Sequence, residues 1–304
     1  MKDFVLYHSS ETPQEINKEN FEKLTKNEYP FRQNFNGANH YYATCPECEN
    51  PIQLKGLYTD GKTYGAHTGK NISGLNTFNY ENYIYCPRSV KGSHVPKDER
   101  KTITSPKDRT VYNTLKNNFD LVISYAKKYL GFYITDEKAM ECLKTYVASQ
   151  GWLYPHSTVN NLPFVLFYLQ SAINPYNLLV RKDSKLEEAI VKSNDLKLEN
   201  LTGDKLKNLP RYYRRLVPNS NKYVILSMMI WNHKFKEDLN GNLHESVDIQ
   251  ICKDISNDPD RHDWKELVNL TIQIPELSFI NYINNASYRK QELIHCANQI
   301  MPII

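Results

Sequence analysis

Apolar residues in the middle of this chain recur at helical spacing, and after residue 222 they switch to the period of strands. Leu115, Phe119, Val122, Ala126 and Tyr129 follow Ser105-Pro106-Lys107-Asp108, a helix-start signal, and Gly131 ends their pattern. Thr135 opens a second helix with Met140, Leu143, Tyr146 and Val147 on its inner face and Gly151 as its stop. A third, over residues 162–173, is nearly all apolar and so belongs in the centre of a core. Ser184 caps a fourth that runs to Ile190. Tyr223-Val224-Ile225-Leu226-Ser227-Met228-Met229-Ile230-Trp231 is apolar on both faces, as an interior strand is. Leu239-Asn240-Gly241-Asn242 is a hairpin-turn signal. The return strand alternates, with Val247, Ile249 and Ile251 inside and Ser246, Asp248 and Gln250 outside. Residues 267–274 read as a third strand, and 276–300 close the chain with one or two helices. At the other end, residues 4–8 read as a strand, and Thr12-Pro13-Gln14-Glu15 opens a polar helix to Lys26.

Residues 41–96 lack either period. They are rich in Gly, Asn and Tyr, and they hold the most specific chemistry in the chain. Cys45-Pro46-Glu47-Cys48 is a tight knuckle whose two thiolates can hold one side of a tetrahedral metal. The run after Pro51 leaves the knuckle as a strand, and Thr59-Asp60-Gly61-Lys62 is a turn because Asp-Gly supplies positive φ. Residues 64–67 then return, bringing His67 beside the knuckle. His67 and Cys86 follow at equal intervals, close to the roughly 15–20-residue gap between the ligand pairs of ribbon-type sites. Cys45, Cys48, His67 and Cys86 together offer a Cys3His set suited to a closed structural zinc (Zn2+) site. His94 and His40 are the alternative donors. A Cys45–Cys48 disulfide would need an oxidising compartment.

The run from Cys45 to Lys55, followed by Gly65-Ala66-His67, resembles the N-terminal zinc-ribbon segment of CoiA-like competence proteins. The resemblance covers only residues 42–68, under a tenth of the chain, and implies zinc ligands at Cys45, Cys48 and His67. The chain lacks the second histidine that the family places beside the first; Cys86 is the candidate substitute. The family also carries a restriction-nuclease-like domain with an Asp…Glu-x-Lys arrangement. The nearest segment here runs from Glu245 to Lys253 and lacks that spacing.

The pattern and the motif together predict an α+β protein. Residues 1–40 form an N-terminal strand and helix, 41–96 a zinc-ribbon-like module, 97–109 a charged linker and 110–215 a helical region. Residues 216–304 form a C-terminal antiparallel β-hairpin sheet with closing helices. At 304 residues, with 40% hydrophobic and 24% charged positions, the composition is that of an ordinary soluble protein. No apolar run reaches the roughly 18 residues of a membrane span. The N-terminal apolar stretch is too short for a signal peptide, so the expected location is cytoplasmic, with reduced thiols. The skew toward Asn, Lys and Tyr fits an AT-rich genome, and with it a bacterial, phage or mobile-element source.

A net charge of +4 permits nucleic acid without arguing for it. Arg211, Tyr212, Tyr213, Arg214 and Arg215 combine cations with aromatic faces and are the nucleic-acid candidates; the bland alternative is a solvated turn with packed tyrosines. Asp254, Asp258, Asp260, Asp263 and His262 form an acidic loop. Cys142, Cys252 and Cys296 sit in apolar stretches and behave as small hydrophobes. No nucleophile elbow, phosphate loop, dinucleotide fingerprint or His-Glu-x-x-His motif is present. The reading that results is a non-enzymatic, zinc-containing protein that binds another macromolecule. The first expectation for the partner is a protein, with the chain acting as an effector or inhibitor that blocks a host complex, and with homo-oligomers allowed. The second is nucleic acid, bound through the ribbon and residues 211–215. The third is a metal-dependent nuclease using Asp248 or the acidic loop.

Overall fold

The computed structural model describes residues 1–8, 11–89, 92, 94–201, 212–238, 242–256, 258 and 260–302. By internal contacts the chain divides into two units. One comprises Met1–Val95 with Lys234–His244, the other Pro96–His233 with Glu245–Ile304. The protein is mixed α+β, built from helices and several small antiparallel sheets.

The first unit contains β1 (Asp3–Phe4), β2 (Gln14–Glu15), α1 (Lys18–Thr25), β3 (Arg32–Phe35), β4 (Ala38–Thr44), β5 (Pro51–Lys55), β6 (Tyr64–His67) and α2 (Tyr80–Ile84). β3 to β6 form an antiparallel meander in chain order, and β1 pairs with β2. The strand expected over residues 4–8 is cut short because Glu11 gathers the backbone N–H groups of Leu6, Tyr7 and His8 onto one carboxylate. The helix expected from Thr12 starts later. Gln14 and Glu15 are taken by the pairing with β1, and the Asn17 side chain accepts the Asn20 N–H at 2.8 Å as the cap. The β3–β4 hairpin was not expected, although Asn36-Gly37 announces it; both residues have the positive φ that a two-residue turn needs. Phe4, Phe21, Ala43 and Ile52 are wholly buried beneath the sheet, against the cysteines.

The other elements are α3 (Pro106–Asn117), α4 (Phe119–Leu130), α5 (Asp136–Ala148), α6 (Leu162–Tyr168), β7 (Leu179–Arg181), α7 (Lys185–Val191), β8 (Leu196–Asn200), β9 (Tyr213–Pro218), β10 (Leu226–Glu237), β11 (Leu243–Asp254), β12 (Trp264–Ile274), α8 (Ser278–Asn284) and α9 (Gln291–Ile300). The pattern over residues 105–131 is two helices rather than one. Ser105 and Asp108 form a reciprocal capping box at the start of α3, and Asn118 leaves helical geometry between α3 and α4. All seven residues of α6 are buried, as its composition predicts, but the helix ends at Tyr168, and Ile173 pairs instead with Met228.

The region read as helical also holds a sheet of order β7-β9-β8. β10 is an edge strand in the order β10-β11-β12, not an interior one, and Trp231 is 37% exposed. The turn expected at Leu239, Asn240 and Gly241 lies outside the described residues. On β11 the inward set Val247, Ile249 and Ile251 is wholly buried. Asp248, expected to face solvent, is buried too, because Asn232 on one side and Thr271 on the other both hydrogen-bond its carboxylate.

Two buried polar assemblies fix the second unit. Asp120 on α4 accepts both arms of Arg289 at 3.0 Å and the backbone N–H of Lys290 at 2.8 Å, tying the segment before α9 to the helices. Tyr154, His233, Glu245 and Asn161 form a chain of hydrogen bonds, with His233 fully enclosed. Burial pushes the Tyr154 phenol well above its ordinary pKa, so it stays a neutral donor. Asp120→Ala should lower stability by about 2–4 kcal/mol, since it leaves a half-buried guanidinium and a backbone N–H without their acceptor. Urea denaturation followed by far-UV circular dichroism checks this; a loss below about 1 kcal/mol would contradict the role given to Asp120.

Candidate metal centre

The site is assembled from three short pieces of chain. The Cys45–Cys48 knuckle lies between β4 and β5. Its turn closes through Glu49 N–H to the Cys45 carbonyl at 3.0 Å and Cys45 N–H to the Asn50 carbonyl at 2.9 Å. Glu49 takes the left-handed conformation that lets the second bond form. β6 returns antiparallel to β5 with His67 opposite Ile52, which is how the hairpin delivers the imidazole. Cys86 follows α2, its N–H bonded to the Tyr83 carbonyl at 3.1 Å.

The ligand atoms of Cys45, Cys48, His67 and Cys86 all lie within 4.8 Å of one another. Cys45 and Cys86 are essentially inaccessible and Cys48 nearly so. The separations fit a small tetrahedral cation. Cys45 Sγ and Cys86 Sγ are 3.8 Å apart, as two thiolates about 2.3 Å from a shared ion would be, and Cys48 Sγ to His67 Nε2 is 3.3 Å. Among the described residues this is the group of three or more Cys, His, Asp or Glu donors arranged to hold a metal ion. Every donor is soft or borderline, which favours a metal that binds thiolate and imidazole. Hydrogen bonds from the Cys45 and Cys86 thiols hold the Cys48 thiol down to about 4. The same contacts with Cys45 and Cys48, together with burial, push Cys86 upward. Without a cation, three sulfurs this close ionise one at a time; a divalent ion removes that conflict.

Several supporting residues were invisible to the spacing argument. Asn50, almost wholly buried, donates to Cys48 Sγ at 3.4 Å and clamps Asn79, the cap of α2, through both ends of its amide. Arg88, two residues beyond Cys86, ion-pairs with Asp3 at 2.8 Å and with Glu47 inside the knuckle at 3.4 Å. Burial alone would lower its pKa, but the charges of Asp3, Glu47 and Cys45 outweigh that and raise it. Tyr83 stands edge-on to the His67 ring at 5.2 Å. Gly92 crosses the Cys86 turn so closely that a Cβ there would lie 2.1 Å from the Cys86 carbonyl oxygen. Such contacts orient ligands and limit water access.

No family model, curated protein or solved structure matches this chain. The site therefore rests on its own geometry.

The other sequence candidates are dispersed. His40 bonds Gln53 and stacks on Tyr42, and His94 is exposed; neither joins the tetrad. Of residues 211–215, Arg211 lies outside the described residues. Tyr212 is exposed, and Tyr213, Arg214 and Arg215 belong to β9, a strand rather than a turn. Arg214 pairs with Glu187 at 3.0 Å and Arg215 with Glu199 at 2.6 Å. In the acidic loop Asp254 accepts His262 at 2.6 Å and the N–H groups of Ser256 and Asp263, so it organises the loop. Cys142 and Cys252 are buried, with raised thiol pKa values because of that burial, and Cys296 is half-buried. No helix among the described residues is long and apolar enough to cross a membrane.

Purified chain should hold one divalent metal, and Cys45→Ser or Cys86→Ser should abolish stoichiometric binding, read by inductively coupled plasma mass spectrometry. Thiolates bind metal only when deprotonated, so affinity must fall as pH falls; a drop of at least about tenfold from pH 7 to pH 5 is expected in a competitive chelator titration. Gly92→Ala should weaken metal binding while leaving all four donors in place. Unchanged metal affinity in that variant would mean that the Cys86 turn tolerates displacement.

Proposed function

We propose that this chain is a non-enzymatic, zinc-containing protein that binds a protein partner. The observation that carries the metal half of this reading is the buried tetrad of three sulfurs and one imidazole. Four protein donors complete a tetrahedral zinc shell and leave no position for a substrate or a reactive water, which is the signature of a structural ion. The resemblance of residues 42–68 to the zinc-ribbon segment of CoiA-like proteins supports the same role for Cys45, Cys48 and His67. Metal affinity is then folding free energy for the first unit.

The partner half rests on the open edge of the sheet that the metal secures. Among the described residues β6 is covered on its outer side by the chain start, through Gly65 N–H to the Met1 carbonyl at 2.9 Å, whereas β3 pairs only with β4. β3 ends in Phe35, which is 50% exposed, and is preceded by Tyr29, which is 63% exposed. Among the described residues no strand lies beside this edge. The Arg32 N–H is taken by the Glu28 carbonyl at 3.0 Å, and the Asn34 N–H is the donor turned outward, so an edge flanked by exposed aromatic rings suits a short strand addition by another polypeptide. An effector that occupies part of a host complex would work through such an edge, and a phage or mobile element is its natural source.

Native mass spectrometry of the protein purified from its own cellular background, with metal analysis on the same sample, tests both halves. One zinc per chain and a stoichiometric protein partner are expected. Asn34→Pro is the discriminating variant. Asn34 sits opposite Asn39 one step from the hydrogen-bonded positions, so its N–H faces outward. Proline there removes that donor and keeps the backbone ladder, while also removing the side-chain bonds to Gly37 N–H and Asn39; Asn34→Ala, which loses the same side-chain bonds and keeps the N–H, is the control. Retained zinc with lost partner is the expected result. A metal-free chain would sink the zinc assignment, and a partner that survives Asn34→Pro would sink the edge.

A further inference from the structure

We propose that the outward face of the β7-β9-β8 sheet binds single-stranded nucleic acid. The site lies wholly in the second unit and uses none of the metal donors, so it stands or falls independently of the zinc reading.

Cross-strand partners share a face of a sheet, so the register determines what this one presents. Val180, Arg214, Leu216, Leu196 and Leu198 fall on one side. Val180 and Leu216 are wholly buried there, with Arg214 reaching Glu187 of α7. The opposite side carries Leu179 and Arg181 on β7, Tyr213, Arg215 and Val217 on β9, and Lys197 and Glu199 on β8. Three of those positions are cations and one is a carboxylate. Such a bias is large in a chain whose overall charge is only +4.

Aromatic rings flank the cations on both sides. Beyond β7, Tyr133 meets Tyr213 edge-on at 5.4 Å, and Lys127 lies 4.7 Å over the Tyr133 ring. Beyond β8 and β9 is a cleft of about 500 Å³ lined by Lys197, Glu199, Arg215, Lys222, Tyr176 and Tyr223. Tyr176 is 52% exposed and Tyr223 is 87% exposed, so both rings are available on the cleft wall. Glu199 bridges Arg215 at 2.6 Å and Lys197 at 3.1 Å, holding the two cations side by side on the sheet surface.

This arrangement meets the two needs of single-strand recognition: cations in a track for phosphates, and ring faces on which unpaired bases stack. A duplex presents no free base faces to the exposed rings of Tyr176 and Tyr223. An acidic polypeptide would use the cations and ignore the rings. The shared chemistry, a phosphate chain with unstacked bases, is common to RNA and DNA, and the 2′-hydroxyl separates them.

Fluorescence anisotropy with the full-length protein tests the proposal, using labelled 15-mer oligo(U), oligo(dT) and a duplex of the same length. Both single strands, or one of them, should bind at about 50 mM KCl. Affinity should fall roughly tenfold or more by about 200 mM, as expected for a few phosphate contacts. Tyr223→Ala, at an exposed position, should weaken binding several-fold. Lys197→Glu with Lys222→Glu should abolish it, and Lys18→Ala in the first unit should change nothing; circular dichroism confirms folding of each variant. A preference for oligo(U) over oligo(dT) assigns the natural ligand to RNA, and the reverse assigns it to DNA. The proposal is overturned by an absence of binding at 50 µM protein, by equal affinity for the duplex, by competition from polyglutamate as effective as that from the unlabelled strand, or by a charge-reversed variant that binds like the parent.

Discussion

The first unit is organised around the mutual repulsion of three sulfurs. Cys45, Cys48 and Cys86 are buried beside His67 with their ligand atoms inside a 4.8 Å span. Thiolates so close cannot ionise together unless a cation stands among them. The neighbouring structure is shaped to that requirement. Arg88 adds a positive charge beside the knuckle and is itself held by Asp3 and Glu47, and Asn50 presents its amide to Cys48. The strands that converge here are only four to seven residues long, and short sheets of this kind bury little apolar area of their own. A metal at their meeting point would link the β4–β5 turn, the β6 strand and the segment after α2, three pieces otherwise joined by turns.

The second unit relies on a different device. Its core is apolar, with Phe164, Leu166, Phe119 and Tyr125 fully enclosed or nearly so, and orientation is added by polar groups that cannot be left unpaired. Asp120 fixes the approach to α9 through Arg289, and the Tyr154–His233–Glu245–Asn161 chain fixes β10 and β11 against the segment leading into α6. With Asn161 at 2.5 Å and His233 at 2.6 Å from the same Glu245 oxygen, moving any one member would strand the others in a low-dielectric interior. Burial thus sets the geometry of the helical layer, and the smaller β7-β9-β8 sheet is left with one face toward the core and one carrying charge.

Legibility from sequence followed the range of the interactions. The capping box at Ser105, the Gly131 stop, the apolar α6 and the alternation of Val247, Ile249 and Ile251 were readable because each is decided within a few residues. The knuckle and the strand after Pro51 foretold that His67 would return to Cys48, but the turn differs from the one expected: neither Asp60 nor Gly61 takes positive φ, and a loop over residues 56–63, with Gly56 in the left-handed region, joins the strands. Other features escaped because their cause is distant. Asp248 looks like a solvent position until Asn232 and Thr271 approach it from two neighbouring strands. β7 and β8 have sequences that suit helix as well as strand, and pairing with β9 decided for strand.

What the sequence determined by itself was the α+β class and the Cys45–Cys48 half of the donor set: the Cys-x-x-Cys spacing and the alternation along the strands are local geometry, fixed by chain connectivity and side-chain period. Only the tertiary structure decided that Cys86 completes the set in preference to His40 or His94, that Arg88 and Gly92 hold it there, and that Arg181, Tyr213, Arg215 and Lys197 share one face. Those outcomes depend on which segments meet across the fold. Segments far apart in the chain meet where burial and charge compensation are jointly satisfied, a condition that no window of neighbouring residues contains.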